Sequence, residues 1–527
     1  MAFAPSPKTG YLVNPTHSFL IFSTMKRYVL PVFYLFTGLF LHAQTNTPLE
    51  PYTTDALRYA YLQPGGTARY LGAGGAFGAL GADFGTLSQN PAGLALFRSD
   101  ELMITPALKF ANTTSTFPGS DGIEESKSNF HIDNAGIVFN TNPIGSRWTT
   151  FNVGIGFNRQ NNFHQSFYYE GQAAGTIMND FYASATNDFV PNGPTDQFDP
   201  YGAQLAYNTG AIYDPVILPG EQVDELSYDF IQTPNAVINH AHSITTSGNM
   251  NELAIAFAGN YDEKLMLGAT IGVPVVNYVF DGTYEESDPA NQVEFFDRLQ
   301  YTEYLRTQGV GVNMKLGLIY KVHPMLRIGA AFHTPTLLGL TDNYYNDLTY
   351  DYTDGGGAHS NTDQSPDGNF DYRLRTPWRA SGSAAFLFKK FGFLSADVEL
   401  VDYSASRYNF TADVSSTENE KLERTVNRQI QDTYRQAVNL RFGGELALDY
   451  FRLRAGINLL GKPFEGETGF NTAYTAGFGV RGDSFYLDLG YRLSKGAGSV
   501  KAPYGAALTA ETSNTTSDLL LTVGLKF

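Results

Sequence analysis

The feature that most restricts this chain is a period-two alternation of apolar with small or polar residues, which recurs from residue 102 to residue 527. The final segment shows it cleanly: Leu519, Leu521, Val523, Leu525 and Phe527 share one face, while Thr522, Gly524 and Lys526 share the other. Trp148 to Phe157 repeats it, with Phe151, Val153, Ile155 and Phe157 opposite Asn152, Gly154 and Gly156. Successive side chains of a strand point to opposite faces, so each segment reads as a strand with one greasy side. A small or polar opposite face suits a strand with lipid on one side and a lumen on the other. A soluble sandwich is the competing reading of any one such segment.

The same reading applies along the chain, from Leu102–Phe110, Ala135–Asn140, Glu252–Asn260 and Met266–Phe280 to Leu519–Phe527. It gives about fourteen strands when Tyr301–Arg306 is counted. Pro274 lies inside one segment, where a missing ladder donor predicts a kink or bulge. Short turns join some pairs, as at Tyr261–Lys264, Val322–Met325 and Lys389–Gly392. Others are separated by long polar stretches, 160–250, 341–371 and 404–436, expected as loops. Short turns at one rim and long loops at the other is the layout of a transmembrane β-barrel.

The other end of the chain says where such a barrel would go. Met25-Lys26-Arg27 precedes a mostly apolar run from Tyr28 to Leu41, and Leu41-His42-Ala43 offers a small residue at a cleavage position. That is the layout of a secretory leader, residues 25–43, and residues 1–24 are expected to be a start-site extension. The run is too short for a spanning helix, which needs roughly 20 residues. No later segment approaches that length, so an exported chain embedded in a membrane must cross it with strands. Backbone groups in lipid are satisfied only by helices or closed barrels. Tyr and Phe number 33 and 39 and Gly 53, which suits aromatic girdles and close packing. The net charge of −17 and the absence of basic stripes argue against nucleic-acid binding. The chain has no Cys, so no disulfide framework supports it.

One stretch breaks the alternation. Ala68 to Leu96 is dense in small residues and reads as a compact plug, the core of a segment 44–98 that precedes a barrel at 99–527. Gly74 and Gly75 permit tight turns. Asn90 can cap a turn, and Pro91 fixes its backbone before Ala92. A hinge or latch and an ordinary structural turn are both consistent with these residues.

These motifs together resemble the FadL/TodX family of outer-membrane transport proteins. Gly74-Gly75-Ala76-Phe77 through Gln89-Asn90-Pro91-Ala92-Gly93-Leu94 is similar to the family's plug segment with its Asn-Pro-Ala motif. Leu326–His333 resembles the family strand that ends in an aromatic-His pair. Thr376-Pro377-Trp378-Arg379 resembles a strand start, and Arg454–Ile457 a later strand. The resemblance implies a 14-stranded barrel, a plug gating the lumen at Gly74, Gly75, Asn90, Pro91 and Ala92, and a lateral exit beside a kinked strand. It implies hydrophobic cargo such as long-chain fatty acids, a monomeric state, contact with outer-membrane lipids, and no cofactor. A terminal aromatic such as Phe527 resembles the signal read by barrel-assembly machinery. The long 160–250 stretch and the glycine-rich plug depart from the family pattern and leave the cargo open.

Loop aromatics Phe163, Phe167, Tyr168, Tyr169, Phe181 and Tyr182 are the candidate capture residues; packing is the plainer role for any one of them. His240 and His242 lack an evident third ligand, and Asp363, Asp367 and Asp371 with Gly368 do not match a twelve-residue calcium loop, so no metal is expected. No nucleophile elbow or Walker loop is present, so the chain is not read as an enzyme. Two rival functions remain: an accessory barrel of a protein-secretion system that binds protein through its loops, and an outer-membrane hydrolase.

Overall fold

The computed structural model describes residues 50–118, 120–187, 198–213, 230, 233, 235–410, 416–503 and 508–527. The expected leader and the extension before it lie outside those residues.

Before the barrel come two helices, α1 (Glu50–Ala60) and α2 (Ala68–Gly72), and two 3₁₀ turns, Phe84–Ser88 and Pro91–Leu96. The strand segments then follow: β1 Glu101–Thr116, β2 Ile123–Thr141, β3 Trp148–Asn162, β4 Gln165–Ala174, β5 Val237–Tyr261, β6 Leu265–Ser287, β7 Arg298–His323, β8 Leu326–His333, β9 Leu337–Asp354 and β10 Gly357–Gln364. The rest are β11 Gly368–Arg375, β12 Arg379–Leu387, β13 Gly392–Asp402, β14 Arg407–Asn409, β15 Gln436–Leu448, β16 Phe451–Gly461, β17 Phe470–Arg481, β18 Phe485–Lys501 and β19 Thr509–Lys526. Helices α3 (Met178–Asn187) and α4 (Ala203–Thr209) lie between β4 and β5, and α5 (Thr417–Thr433) lies between β14 and β15.

Nineteen segments build fourteen wall strands. Five breaks fall inside wall strands: β3 continues as β4, β8 as β9, β10 as β11 and then β12, and β13 as β14. Every pairing is antiparallel, and β1 on β19 closes the cylinder from Glu101↔Lys526 to Thr116↔Glu511. Closure of β1 on β19 leaves the first and last strands no free edge in lipid. The alternation acts as the sequence implies. Leu519, Leu521, Val523 and Leu525 are exposed on the outside, while Leu520 and Thr522 are buried inside. Phe151 and Ile155 on β3 face out, and Asn152 faces in with no exposure.

Three expectations are refined. Tyr301–Arg306 is no separate strand; it is the start of β7. Pro274 causes no register shift. The β6–β7 ladder skips Val273 and Pro274 and resumes in the same register at Val275↔Val310. The described residues of the stretches expected as loops hold regular structure: β4, α3, α4 and half of β5 in 160–250, strand in 341–371, and α5 in 404–436. Their alternation escapes a search for apolar-out strands because its sense inverts. On β5, Leu253, Ile255 and Phe257 point out, whereas Ile238 and Ile244 point in. On β7, Val310 to Leu318 carry the apolar residues outside, whereas Leu299 and Tyr301 are buried inside. Toward the long-loop end, the inward apolar residues join α3 and α4 in one buried cluster that includes Ile177, Phe181, Leu205, Leu299 and Leu348.

Candidate functional site: a sealed lumen and an incomplete wall

The glycines of the plug let its backbone turn inside a narrow space. Gly74 and Gly75 both have positive φ, 67° and 64°. The Gly75 amide donates to Tyr70 O at 2.9 Å and ends α2. Asn90 has extended backbone, its Oδ1 accepts from the Ala92 amide at 3.2 Å, and Pro91 occupies the first position of the turn. The Asn90 side chain is also a strut. Its Nδ2 donates to Gly78 O within the plug and to Leu318 O of β7 at 3.2 Å. The wall makes room for this. A Cβ at Gly317 would lie 2.0 Å from Asn90 Oδ1, and one at Gly268 2.4 Å from the carbonyl carbon of Pro91. Only glycine permits so close an approach.

Polar lumen residues fix the rest of the plug. His333 Nε2 donates to Gln89 O at 2.7 Å. Asp397 accepts from the Gly78 amide at 3.1 Å and from Gln89 Nε2 at 2.7 Å. Glu252, paired with Lys315, accepts from Ser88 Oγ at 2.9 Å. Thr522 of the last strand accepts from the Ala68 amide at 2.7 Å, so a polar face residue of the terminal segment anchors the plug's start. Each buried plug carbonyl and amide so bonded avoids a desolvation cost of about 1–3 kcal/mol.

A second stopper, α1, was not evident in the sequence. Tyr52 packs among Phe370, Tyr372, Tyr408 and Phe410 with ring centroids 5.1–6.2 Å away. Tyr408 and Tyr434 donate to the helix carbonyls of Tyr52 and Thr53 at 2.8 and 2.9 Å. The Arg58 guanidinium lies 4.0 Å over the Tyr278 ring. Tyr52 and Tyr59, seven residues apart, were the available signal.

Among the described residues, the wall is unladdered between the outer halves of β2 and β3. Pro106 on β1 faces a bulge in β2, where the register jumps from Thr105↔Asn134 to Pro106↔Ile132 and leaves Asp133 unpaired. The β2–β3 ladder ends at Asn134↔Asn158. Beyond it β3 bulges too, between Arg159 and Asn161 in its pairing with β5. Among the described residues, the outer half of β2 has a ladder partner only in β1. The plug's approach segment takes up what β3 offers. The amides of Gln63 and Gly65 donate to the carbonyls of Gln160 and Arg159 at 3.1 and 2.9 Å, and the Gly66 amide donates to Asp133 at 3.0 Å.

The capture candidates do not form one groove. Phe163 packs on Tyr59 and Tyr278 inside the barrel. Tyr169 is buried and stacked on Phe117, with ring centroids 5.0 Å apart. Phe181 and Tyr182 belong to the cluster at the long-loop end, against Tyr301 and Phe230. Phe167 and Tyr168 are half-buried on β4, and the Tyr168 hydroxyl donates to Glu170.

At the same end lies a titratable group. Glu286 is buried and accepts from the hydroxyl of Thr176 and from the Ile177 amide at 2.8 Å, which secures the approach to α3. Tyr284 donates to it at 3.2 Å, and His240, 2.8 Å from the Tyr284 hydroxyl, is 3.6 Å from the carboxylate. Burial outweighs these donors and pushes the Glu286 carboxyl up to about 7. His240 and His242 thus serve this cluster, with His242 Nδ1 3.3 Å from the Tyr169 hydroxyl. Asp363 accepts from Asn208, and Asp371 from Thr341, on separate strands β10 and β11.

No family model matches the sequence, and no curated protein is similar to it. Solved structures are. A FadL homologue of Pseudomonas aeruginosa is 14% identical with a TM-score of 0.52, covering 88% of this chain and 99% of its own. The toluene transporter TodX of P. putida is 11% identical, with a TM-score of 0.47 and coverage of 88% and 99%. The toluene transporter TbuX of Ralstonia pickettii is 14% identical, with a TM-score of 0.45 and coverage of 88% and 98%. A closed 14-stranded antiparallel wall, an N-terminal plug inside it and the likeness to the P. aeruginosa homologue together show that the chain has the FadL-like fold.

Proposed function

We propose that this chain is a bacterial outer-membrane channel for hydrophobic compounds, long-chain fatty acids among them, working as a monomer. The observation that carries the reading is the pairing of a lumen blocked by α1 and the plug with a wall left unladdered beside the plug's approach segment. A straight aqueous pore serves polar solutes. A long alkyl chain loses about 0.8 kcal/mol for each methylene returned to water, so a sideways route into the bilayer suits it better. In this reading the leader at 25–43 exports the chain, barrel-assembly machinery inserts it through β19, and the long-loop end faces outward. Tyr182 then belongs to the apolar collecting surface with Phe181 as packing beneath it, and Asn90-Pro91-Ala92 is the latch. The resemblance of this fold to a FadL homologue supports a plugged barrel of this type.

Uptake of labelled fatty acid and of labelled toluene, in a strain lacking the channel and complemented with this chain, tests the reading. Wild type should restore uptake of at least one compound. Gly317→Val, which drives a side chain into Asn90, should unseat the plug and admit polar solutes while the barrel still folds. No gain over the empty strain for any hydrophobic compound would sink the proposal. Co-purification of a secreted protein with the loops would instead favour the accessory-barrel reading.

A further inference from the structure

Side chains occupy the place where the β2–β3 ladder is missing, and they are rich in cations. Arg159 of β3 reaches across to Ile132 O of β2 at 3.3 Å. Lys109 of β1 donates to Asn162 O at 2.8 Å, and Lys127 of β2 donates to Thr246 O at 3.0 Å. Among the described residues, neither lysine has an ion-pair partner. The gap holds one carboxylate, Asp133, already shared by His131 at 3.3 Å, Arg159 at 3.7 Å and the Gly66 amide. Asp518 is held by Arg492 at 3.0 Å, and Asp281 acts on Lys127 only at longer range. The Arg159 side chain is 8% exposed, and its Nε faces Asp133 at 3.7 Å, an ion pair longer than a hydrogen bond. Three cations against one shared acid stand out in a chain of net charge −17.

The depth of the cluster is informative. Outward residues of β1 are apolar up to Phe110 and polar from Asn112 on. On β2 the outward apolar residues end at Phe130, 67% exposed, and give way to Ser128 and Ser126. The register sets Lys109 opposite Asn129 and Ala111 opposite Lys127. The cations therefore lie at the boundary of the apolar belt, the level of lipid head groups. Lys109 and Lys127 stand on the inward rows of β1 and β2 and are half-buried, so a head group meets them by entering the gap.

We propose that this gap binds the anionic head group of an amphiphile. Lys109, Lys127 and Arg159 hold its carboxylate or phosphate oxygens, and its tail lies along Phe130 and Leu108 in the bilayer. Such a head group comes from an acid passing through the channel or from a phospholipid of the surrounding leaflet. The inference rests on the channel reading only in placing the barrel in a membrane.

The test is direct binding to the purified full chain in neutral detergent, followed by native mass spectrometry with lauric acid, dodecanol and phosphatidic acid. Either anion should bind more tightly than dodecanol and weaken about tenfold for each cation lost in Lys127→Gln and Lys109→Gln/Lys127→Gln. Dodecanol should be unaffected. Loss confined to lauric acid assigns the site to cargo, and loss confined to phosphatidic acid assigns it to membrane lipid. Equal binding of lauric acid and dodecanol, or a double variant with undiminished anion affinity, would overturn the site. Lys127→Gln lies on the unpartnered edge of β2, and its heat-modifiable mobility reports whether the barrel still folds. Because uptake is not the readout, a chain that binds anions without transporting them overturns the channel reading and leaves the site standing.

Discussion

Two regions of the same strands differ in sense. In the belt formed by Ile271, Val312 and Leu521, apolar side chains point away from the lumen. Toward the long loops, Ile244, Leu299 and Leu348 point into it. The period is two throughout; what changes is the solvent on each side. In the belt the outside is hydrocarbon, and the inside holds a plug seated by polar wall residues and a small apolar core of Leu87, Leu94, Met266 and Ile319. Beyond it the outside is water, and the inside is an apolar core closed by α3 and α4. A strand's hydrophobic face is therefore a property of its surroundings at each level.

The sharpest way to break this comparison is to truncate an aliphatic residue on each side of the inversion. Leu348→Ala should cost about 2–5 kcal/mol by leaving a cavity in the outer cluster. Ile271→Ala, facing lipid, should cost far less, since lipid tails fill the space. Guanidinium unfolding in vesicles measures both, and equal losses would refute the inversion. Charge gives the converse. Ile271→Arg should cost about 2–4 kcal/mol, while Asn343→Arg, exposed on β9, should stay within about 0.5 kcal/mol. A smaller effect is expected from Asn90→Ala, which removes a cap and two struts at about 1–2 kcal/mol in all. It should appear as faster amide exchange in residues 78–96 with unchanged exchange in β19. The smallest is a pH effect on the outer region alone. Glu286 titrates at about 7 when buried, against 4.5 when free, so docking the α3 segment takes up a proton. That segment should be held best below pH 4.5, loosen as pH rises toward about 7, and change little beyond. Protection factors over residues 176–187 that are flat across this window, or that grow with rising pH, would contradict the assignment.

What the sequence made legible follows the same division. The belt strands declare themselves because Leu519 to Phe527 and Phe151 to Phe157 meet lipid on one face only. The plug shows itself by departing from alternation, and Asn90-Pro91 announces a capped turn. The outer half of β5 was hidden because His240, His242 and Ile244 form an inward row of mixed polarity. The wall gap was hidden for another reason. Pro106 is visible in the sequence, but its consequence depends on which residue of β2 stands opposite, and that is set by register. The seats at Gly268 and Gly317 likewise gain meaning only from what rests on them.

The inversion has one more consequence. β5 and β7 each carry a waterline, the point at which the apolar side of the strand changes over. On β5 it falls between Ile244 and Leu253, and on β7 between Tyr301 and Val310. Because the strands are locked in register, these marks must agree around the cylinder, and together they set how deep the barrel floats. A shift of two residues on one strand would move its mark by about 6.6 Å along that strand, a sizeable share of a hydrocarbon core about 30 Å thick. A chain with 2 Trp thus needs no heavy indole belt to fix its immersion; the agreement of these marks on β5 and β7 is an anchor.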